Sequence, residues 1–508
     1  MFTRKKRNKS GSISVQIIDK KNGYKVIQTI GSSKDISEIE RFCLQAKQII
    51  HSPEPGQQML FTIKSKEEMV VENFVENLAN TQVRTIGPEL IFGTLFDRIG
   101  FNSIEEELFR HITVARLVYP VSKIKTMDYL YRYRGIVVSV DAIYRFMDKI
   151  SSKYKEVVGT IAYEYTRQRL GTITVVFYDM TTLYFESDDE DDLRKIGYSK
   201  DGQFQKPQIM LGLLVGEEGL PIGYDIYEGN TFEGHTLLPT LQGIQSKYGF
   251  NKPIVVADAA LLSNQNIENL TQAGYRFILG ARIKNENNEI RIKILNQAQG
   301  IKDGDSFVLK KRDGTRLIVT YSDKRAKKDA HNRKKGIRKL QRSIRSGRLT
   351  KQSINNRGYN KFLTIRGEAT VSIDEEKIRA DKHWDGLKGY ITNTQLPAQK
   401  VVENYIHLWQ IEKAFRISKT DLKVRPIYHY QKRRIEAHIC IAFVAYTIYK
   451  ELEHLLKQHG SSMSPRRAAE LSHTMYELEY TLPGSNEKKR QLLKMNDEQQ
   501  LLYSVVQR

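Results

Sequence analysis

Residues 173–180 read ITVVFYDM, and residues 252–260 read KPIVVADAA. Each is a short unbroken run of β-branched and apolar side chains, the pattern of a strand covered on both faces. Each also reaches an acid, Asp179 in the first and Asp258 in the second. Strands of this kind lie inside a sheet flanked by helices, so the two runs predict an α/β core. An acid closing such a strand projects at the sheet edge, where α/β sites sit, although Asp is also an ordinary strand-ending residue. Between the runs, PQIMLGLLV (207–215), a turn at Gly219 and LPIGYDIYEG (220–229) predict a meander. After them, LLSNQNIENLTQAG (261–274) predicts a helix that Ser263 could cap, and YRFILGAR (275–282) a further strand.

Working outward divides the chain into six parts. Residues 1–87 begin with a basic stretch and then alternate as SVQIID, KKNG and YKVIQTIG, a hairpin turning at Asn22 and Gly23, followed by helical spacing from Asp35 to His51. Residues 88–170 are helical and basic, with Pro120 and Ser122 interrupting a run that holds Arg110, His111, Arg116, Lys123 and Lys125. This is either a DNA-end binding region or a solvated basic scaffold. Residues 171–282 form the first part of the core. Residues 283–383 break the pattern: FVLKK, TRLIVTY, FLTIRG and ATVSID surround the basic stretch Lys324 to Lys351, a β-rich insertion with a basic arm suited to phosphates. Residues 384–450 return to the core with the strand WDGLKGYITNT and a helix from Val401 to about Lys423, and residues 451–508 read as a helical tail.

Composition narrows the function. The 508 residues carry 81 Lys and Arg against 59 Asp and Glu, a formal net charge of +22, which supplies the field that holds a polyanion such as nucleic acid. No apolar run reaches the ~18 residues a membrane span needs, so membrane transport is excluded. Cys43 and Cys440 are the only cysteines, too few for a disulfide framework or a four-cysteine zinc site. A cytoplasmic, nucleoid-associated protein is the expectation, with no secretory signal at the start.

On a helical wheel from Tyr405, one stripe carries Tyr405, Glu412, Arg416, Lys419 and Lys423, with Ile411, Phe415 and Leu422 beside it for packing. A lone carboxylate among cations is usually a surface salt-bridge ladder. Together with two strand-end acids it is also what phosphodiester chemistry needs. Carboxylates suit hard Mg2+ ions, and two such ions, about 3.5–4 Å apart, stabilise the attacking and leaving oxygens of an in-line displacement.

YIHLWQIEKAFRISK, from Tyr405 to Lys419, resembles the Tyr-x2-Arg-x3-Glu-x6-Lys signature of bacterial DDE transposases of the insertion-sequence-four-like superfamily. Tyr405, Glu412 and Lys419 match; Leu408 stands at the Arg position, and Arg416, one turn beyond Glu412, is the candidate for that charge. The resemblance extends, in order, through YDMTTLYFES, GYSKDGQFQKPQI, YEGNTFEGHTL, ADAALLSNQNIENL, DLKVRPIYHY and RRIEAHICIAF, from Pro88 to about Lys450, with Ala260 where a glycine is usual. It implies a ribonuclease-H-like mixed-sheet core. It implies Asp179, Asp258 and Glu412 as a catalytic, metal-binding triad for two Mg2+, with Mn2+ able to substitute. It further implies water as the first nucleophile, a DNA 3′-hydroxyl as the nucleophile of strand transfer, and a hairpin as a candidate excision intermediate. The partners implied are double-stranded DNA, as terminal inverted repeats and target, and a second copy of the chain pairing two ends.

By the same resemblance Tyr405, Lys419, Arg416, Lys423 and Arg425 are candidate DNA-backbone contacts, and Trp384 and Trp409 candidate stacking platforms for a flipped base. A Trp is more often a packing residue. The acidic run from Asp188 to Asp192 reads as solvated and His235 as structural; Lys200 and Asn230 fall in the matching motifs without an assignable role. The expected activity is cut-and-paste transposition. A ribonuclease-H-like nuclease that cuts without joining, and a silent transposase-derived DNA-binding protein, are the competing readings.

Overall fold

The structure, a computed structural model, describes residues 1–21, 23–51, 66–249, 251–261, 263–349, 354–355, 358–366, 370–482 and 487–507. The chain divides into two compact units, Met1–Leu78 and Ala79–Arg508.

In the first unit, strands Phe2–Arg7, Ile13–Asp19 and Lys25–Ser33 pair antiparallel in chain order. The expected hairpin is the second pair; Asn22 of its turn lies outside the described residues, while Gly23 takes a φ of +91°. The basic start is itself a strand. The middle strand is the most buried of the three, and its free edge gains a full ladder of partners when residues 2–7 lie along it. Helix Ile36–His51 covers this sheet through Ile39, Phe42 and Ala46, against Val15 and Ile17.

The second unit opens with helices, among them α1 (Glu107–Val118) and α2 (Lys123–Arg134), the latter capped by Ser122, whose Oγ accepts from the Lys125 amide at 3.4 Å. The sheet follows: β1 (Val175–Tyr184), β2 (Gln208–Val215), β3 (Pro221–Glu228), β4 (Ile254–Ala257), β5 (Arg276–Ala281), β6 (Ser306–Lys310), β7 (Arg316–Tyr321) and β8 (Leu387–Thr392), eight strands ordered β6-β7-β8-β5-β4-β1-β2-β3. β1, β2 and β3 form the antiparallel meander, and β4 and β5 run parallel to β1. This mixed sheet, β3-β2-β1-β4-β5 with β2 reversed, is the ribonuclease-H-like arrangement.

The unbroken apolar runs are explained by burial on both faces. Along β1, Val175, Phe177 and Leu183 enter one hydrophobic cluster, and Val176, Tyr178 and Met180 enter another. The second face is covered by helices Leu237–Tyr248 and Asn264–Gln272, the latter capped by Ser263. The first is covered by later helices: α4 (Ala398–Ile406), α5 (Trp409–Arg416) and α6 (Lys432–Gln458).

Four differences from the sequence reading have physical causes. First, the insertion is mixed α/β: its four short strands are present, two of them extending the main sheet, but the basic stretch forms helix α3 (Asp323–Arg345). Lys, Arg and Gln are good helix formers, so charge density did not prevent a helix. Thr350 to Ser353, including Lys351 at the end of the stretch, lie outside the described residues. Second, the helix expected from Val401 to Lys423 is broken. Leu408 is buried, the amides of Leu408, Gln410 and Ile411 close tight three-residue turns, and a π turn Ile417–Asp421 follows α5. A single wheel therefore does not describe it. Third, β1 runs on past Asp179 to Tyr184, because beyond Tyr178 it keeps its antiparallel partner β2 although its parallel partner β4 has ended. Fourth, the tail is not helical throughout. Tyr476–Thr481 pairs with Lys488–Leu492 on one side and with Val83–Thr85 on the other, following the period-two alternation of Tyr476, Leu478 and Tyr480 with glutamates.

Candidate active site

Register brings the first two acids together. Tyr178 on β1 pairs with Ala257 on the parallel strand β4, so Asp179 and Asp258 are the next residues on neighbouring strands, whose spacing is about 4.8 Å. Both carry the parity of the face that packs under α5: Val175 and Phe177 precede Asp179, and Ile254 and Val256 precede Asp258. The Asp179 Oδ1 accepts from the Met180 amide at 2.7 Å, and the Asp258 Oδ1 from the Ala260 amide at 2.8 Å. Burial pushes the Asp179 carboxyl up to about 6; the Lys200 ammonium pulls the other way, and the neighbouring Asp258 adds to the rise.

Helix α5 lays Ile411, Ala414 and Phe415 on the sheet and leaves Glu412 exposed. Tyr405, at the end of α4, is 8% exposed, edge-on to Tyr390 at 4.8 Å with the Lys388 ammonium 4.4 Å above its ring. Its hydroxyl is pushed up by burial and then by the charges of Asp258, Glu412 and Asp179, with Tyr390. The three acids thus share one electrostatic neighbourhood around a single phenol. Gly280 on β5 makes room for it, since a Cβ there would stand 2.5 Å from the Tyr405 hydroxyl. Tyr405 is therefore a buried neighbour of the acids, with little of its side chain open to solvent.

The cations sort differently from the predicted stripe. Lys419 Nζ lies 3.0 and 3.2 Å from the carboxylate oxygens of Asp201, which the Arg425 guanidinium also pairs. Burial pulls the Lys419 ammonium down, against Asp201. Arg416 and Lys423 are exposed, Lys423 at a φ of +45°, and neither has an ion pair among the described residues. Leu408, at the signature Arg position, is a core residue and offers no phosphate contact. Trp409 is 46% exposed at the start of α5 beside Lys413, whereas Trp384 is 5% exposed, packed with Ile290, Ile294 and Leu387 under Arg291. Trp384 thus packs in a hydrophobic cluster, while Trp409 presents an open ring.

Two further charged residues stand at the site. Lys200 Nζ lies 3.4 Å from Asp179 Oδ1 and 2.9 Å from Glu233 Oε1, and donates to the Met180 carbonyl at 2.6 Å. Both are in motifs quoted above, but no spacing rule links residues 200 and 233; the only signal was the adjacency of Lys200 and Asp201 before Gly202. The acidic run serves its own loop: Asp191 accepts from the Leu193 and Arg194 amides and from Arg194 Nε, and Asp188 pairs Lys206. His235 is exposed, edge-on to Phe232 at 5.3 Å.

Among the described residues, no three His, Cys, Asp or Glu side chains stand in metal-ligating geometry. The donor chemistry nevertheless fits a hard divalent cation. Asp179 and Asp258 offer adjacent carboxylate oxygens on one face, and an ammonium already stands against Asp179 as a stand-in cation.

The sequence model of the Transposase DDE domain matches residues 170–448, more than half of the chain. The chain belongs to the DDE transposase family. The matched DDE domain spans β1 to α6 and contains Asp179, Asp258 and Glu412. Among solved structures, the chain is similar to a piggyBac transposase synaptic complex with hairpin DNA, at 9% identity, 76% coverage of each chain and a TM-score of 0.40. It is also similar to a Mos1 transposase paired-end complex with left transposon end, at 12% identity, covering 48% of this chain and 67% of that one, with a TM-score of 0.16. No curated protein matches the chain in sequence. Among the described residues, no helix is long and apolar enough to cross a membrane.

Proposed function

We propose that this DDE transposase binds the terminal inverted repeats of a bacterial insertion sequence, cleaves DNA at their ends with Mg2+ or Mn2+, and joins the ends to target DNA, acting in the cytoplasm on the nucleoid as a dimer that pairs two ends. The observation that carries the reading is the register that sets Asp179 beside Asp258 under the helix of Glu412.

Asp179, Asp258 and Glu412 would hold the metal; when bound, two divalent cations supply activation of the nucleophile and stabilisation of the leaving oxygen. The chain's own residues do the rest. β1 and β4 fix two carboxylates on a sheet, and Tyr405 packs against Tyr390 and over Gly280. Arg416, Lys419, Lys423 and Arg425 lie on or just beyond α5, where a DNA backbone leading to the acids would pass, and the half-exposed Trp409 offers an aromatic face at the start of that helix.

The test is incubation of purified protein with end-labelled linear DNA carrying the element's own terminal repeat, with Mg2+ or EDTA. Metal-dependent nicking at the repeat boundary, absent from Asp179→Ala and Glu412→Gln while repeat binding persists, is the expected result. Equal nicking by the variants, or binding without cleavage under any divalent metal, overturns it.

A further inference from the structure

Two loops with no part in the chemistry above converge on Asp179. The first is the turn from Ser199 to Gly202, closed by the Gly202 amide on the Ser199 carbonyl at 3.3 Å. Its backbone is fixed from two sides: the Lys200 amide donates to Thr182 Oγ1 at 3.2 Å, and Ser199 Oγ accepts from the amides of Asp201 and Gln203 at 3.3 and 3.0 Å. The second is the short 3-10 turn Glu233–His235, tied by Thr236 Oγ1 donating to the Glu233 carbonyl at 2.7 Å. Between them the Lys200 ammonium is held by the Met180 carbonyl, by Glu233 and, more loosely, by Asp179. The side chains of Lys200, Asp179 and Glu233 are 28%, 19% and 16% exposed, so the cluster is shielded yet open at one side.

An ammonium and a divalent cation compete for the same carboxylate oxygen and repel each other at this range. The contacts are unequal, 2.9 Å to Glu233 and 3.4 Å to Asp179, so the ammonium can give up Asp179 without leaving Glu233. We propose that Lys200 is a positioning residue that occupies the cation seat on Asp179 until metal arrives, and that Glu233 is the acid that retains its ammonium at the site edge afterwards. The inference rests on the reading of Asp179 as a metal ligand. A free lysine beside a metal site would weaken metal binding outright; a lysine with its own second acid weakens it only by the cost of letting go of the first.

The proposal predicts opposite signs for two substitutions that a purely structural cluster would move together. Mn2+ binding to the full-length metal-free protein, followed by the loss of the free-ion paramagnetic resonance signal, reads it directly. Lys200→Met should tighten Mn2+ by about tenfold, because removing a like charge a few ångströms away is worth at least that much in a partly shielded site. Glu233→Gln should weaken it several-fold, since the ammonium then leans wholly on Asp179, and the double variant should return to at least the wild-type affinity. Lys200→Arg, which keeps the charge, should stay within about twofold and controls for folding. Unchanged or weaker binding in Lys200→Met, or tighter binding in Glu233→Gln, overturns the proposal. Asp179→Ala separates the two levels. If it leaves wild-type Mn2+ binding intact, the metal reading itself fails; if it abolishes binding that Lys200→Met does not move, only the role of Lys200 fails.

Discussion

Lys200 and Lys123 are two lysines taken out of bulk water, and the protein treats them oppositely. Lys200, beside the Asp179 end of β1, has two acids for company, and Asp179 and Glu233 hold its ammonium above the ordinary lysine range despite burial. Lys123, at the start of α2, is 4% exposed and has no ion pair among the described residues. Its charged neighbour is Arg116 on α1, itself 6% exposed, and His429 and His438 share the surroundings. Burial, with Arg116 adding, pulls the Lys123 ammonium far down. The difference separates a site from a scaffold: around the acids, charges are kept and paired with one another, whereas between α1 and α2 a buried ammonium without a counter-charge is pushed toward its neutral form.

The largest effect expected is at the paired end. Asp179→Asn should lower cleavage by at least about a thousandfold, as the loss of a metal ligand does. It should also make the metal-free protein more stable at pH 7, by about 2 kcal/mol. A carboxyl raised to about 6 binds its proton more tightly folded than unfolded, so the wild type loses stability as pH rises from about 4 through 6. The gain from Asn, seen in denaturant melts, should therefore vanish at pH 4. A variant that loses cleavage with no such pH-dependent gain would break the comparison on the site side.

The two tryptophans extend the same contrast. Trp384→Ala removes a fully packed ring and should destabilise the protein by about 3–5 kcal/mol in chemical unfolding. Trp409→Ala, on an exposed ring, should stay within about 0.5 kcal/mol and show itself instead as weaker binding to single-stranded or distorted DNA.

Lys123→Met tests the scaffold side. Replacing a buried lysine whose charged form the fold disfavours should stabilise the protein at pH 7. Because the unfolded lysine keeps its proton up to about pH 10.4, wild-type stability should rise with pH toward that value, and the advantage of Met should shrink in step. A constant advantage from pH 7 to 10 would mean that the lysine is charged in the fold after all.

The smallest effect concerns Asp201, which reserves Lys419 and Arg425. Asp201→Asn should release those cations, tightening non-specific duplex binding a few-fold and steepening its salt dependence by about one charge, measured by fluorescence anisotropy across salt concentrations.

Legibility from sequence tracked the range of the interactions involved. Asp179 and Asp258 could be read because each ends a run whose composition already demands a doubly covered strand, and Glu412 because the helix around it carries a signature in its spacing. Lys419 and Arg425 were legible as cations near Glu412 but not as partners of Asp201, more than two hundred residues away. Arg333 makes the same point inside the basic helix α3: it is 8% exposed, forked onto Asp381 and Asp385, so a stretch that reads as uniformly free charge contains a structural residue. Tyr405 lost its place on the polar stripe because the chain tightens at Leu408, a change of a fraction of a turn that apolar burial imposes and residue spacing cannot reveal.

The sequence by itself determined the core strands β1 to β5, the order of the acids and the family, because those depend on local periodicity and on motifs short enough to be carried by neighbouring residues. Only the tertiary structure decided the rest. The pairing of Tyr178 with Ala257 set two acids abreast, and the turn at Lys200 and Asp201 divided its opposite charges between the acids and the cations of the site. Those facts are distances between residues far apart in the chain, fixed by strand register and helix packing, and they have no counterpart in composition or spacing.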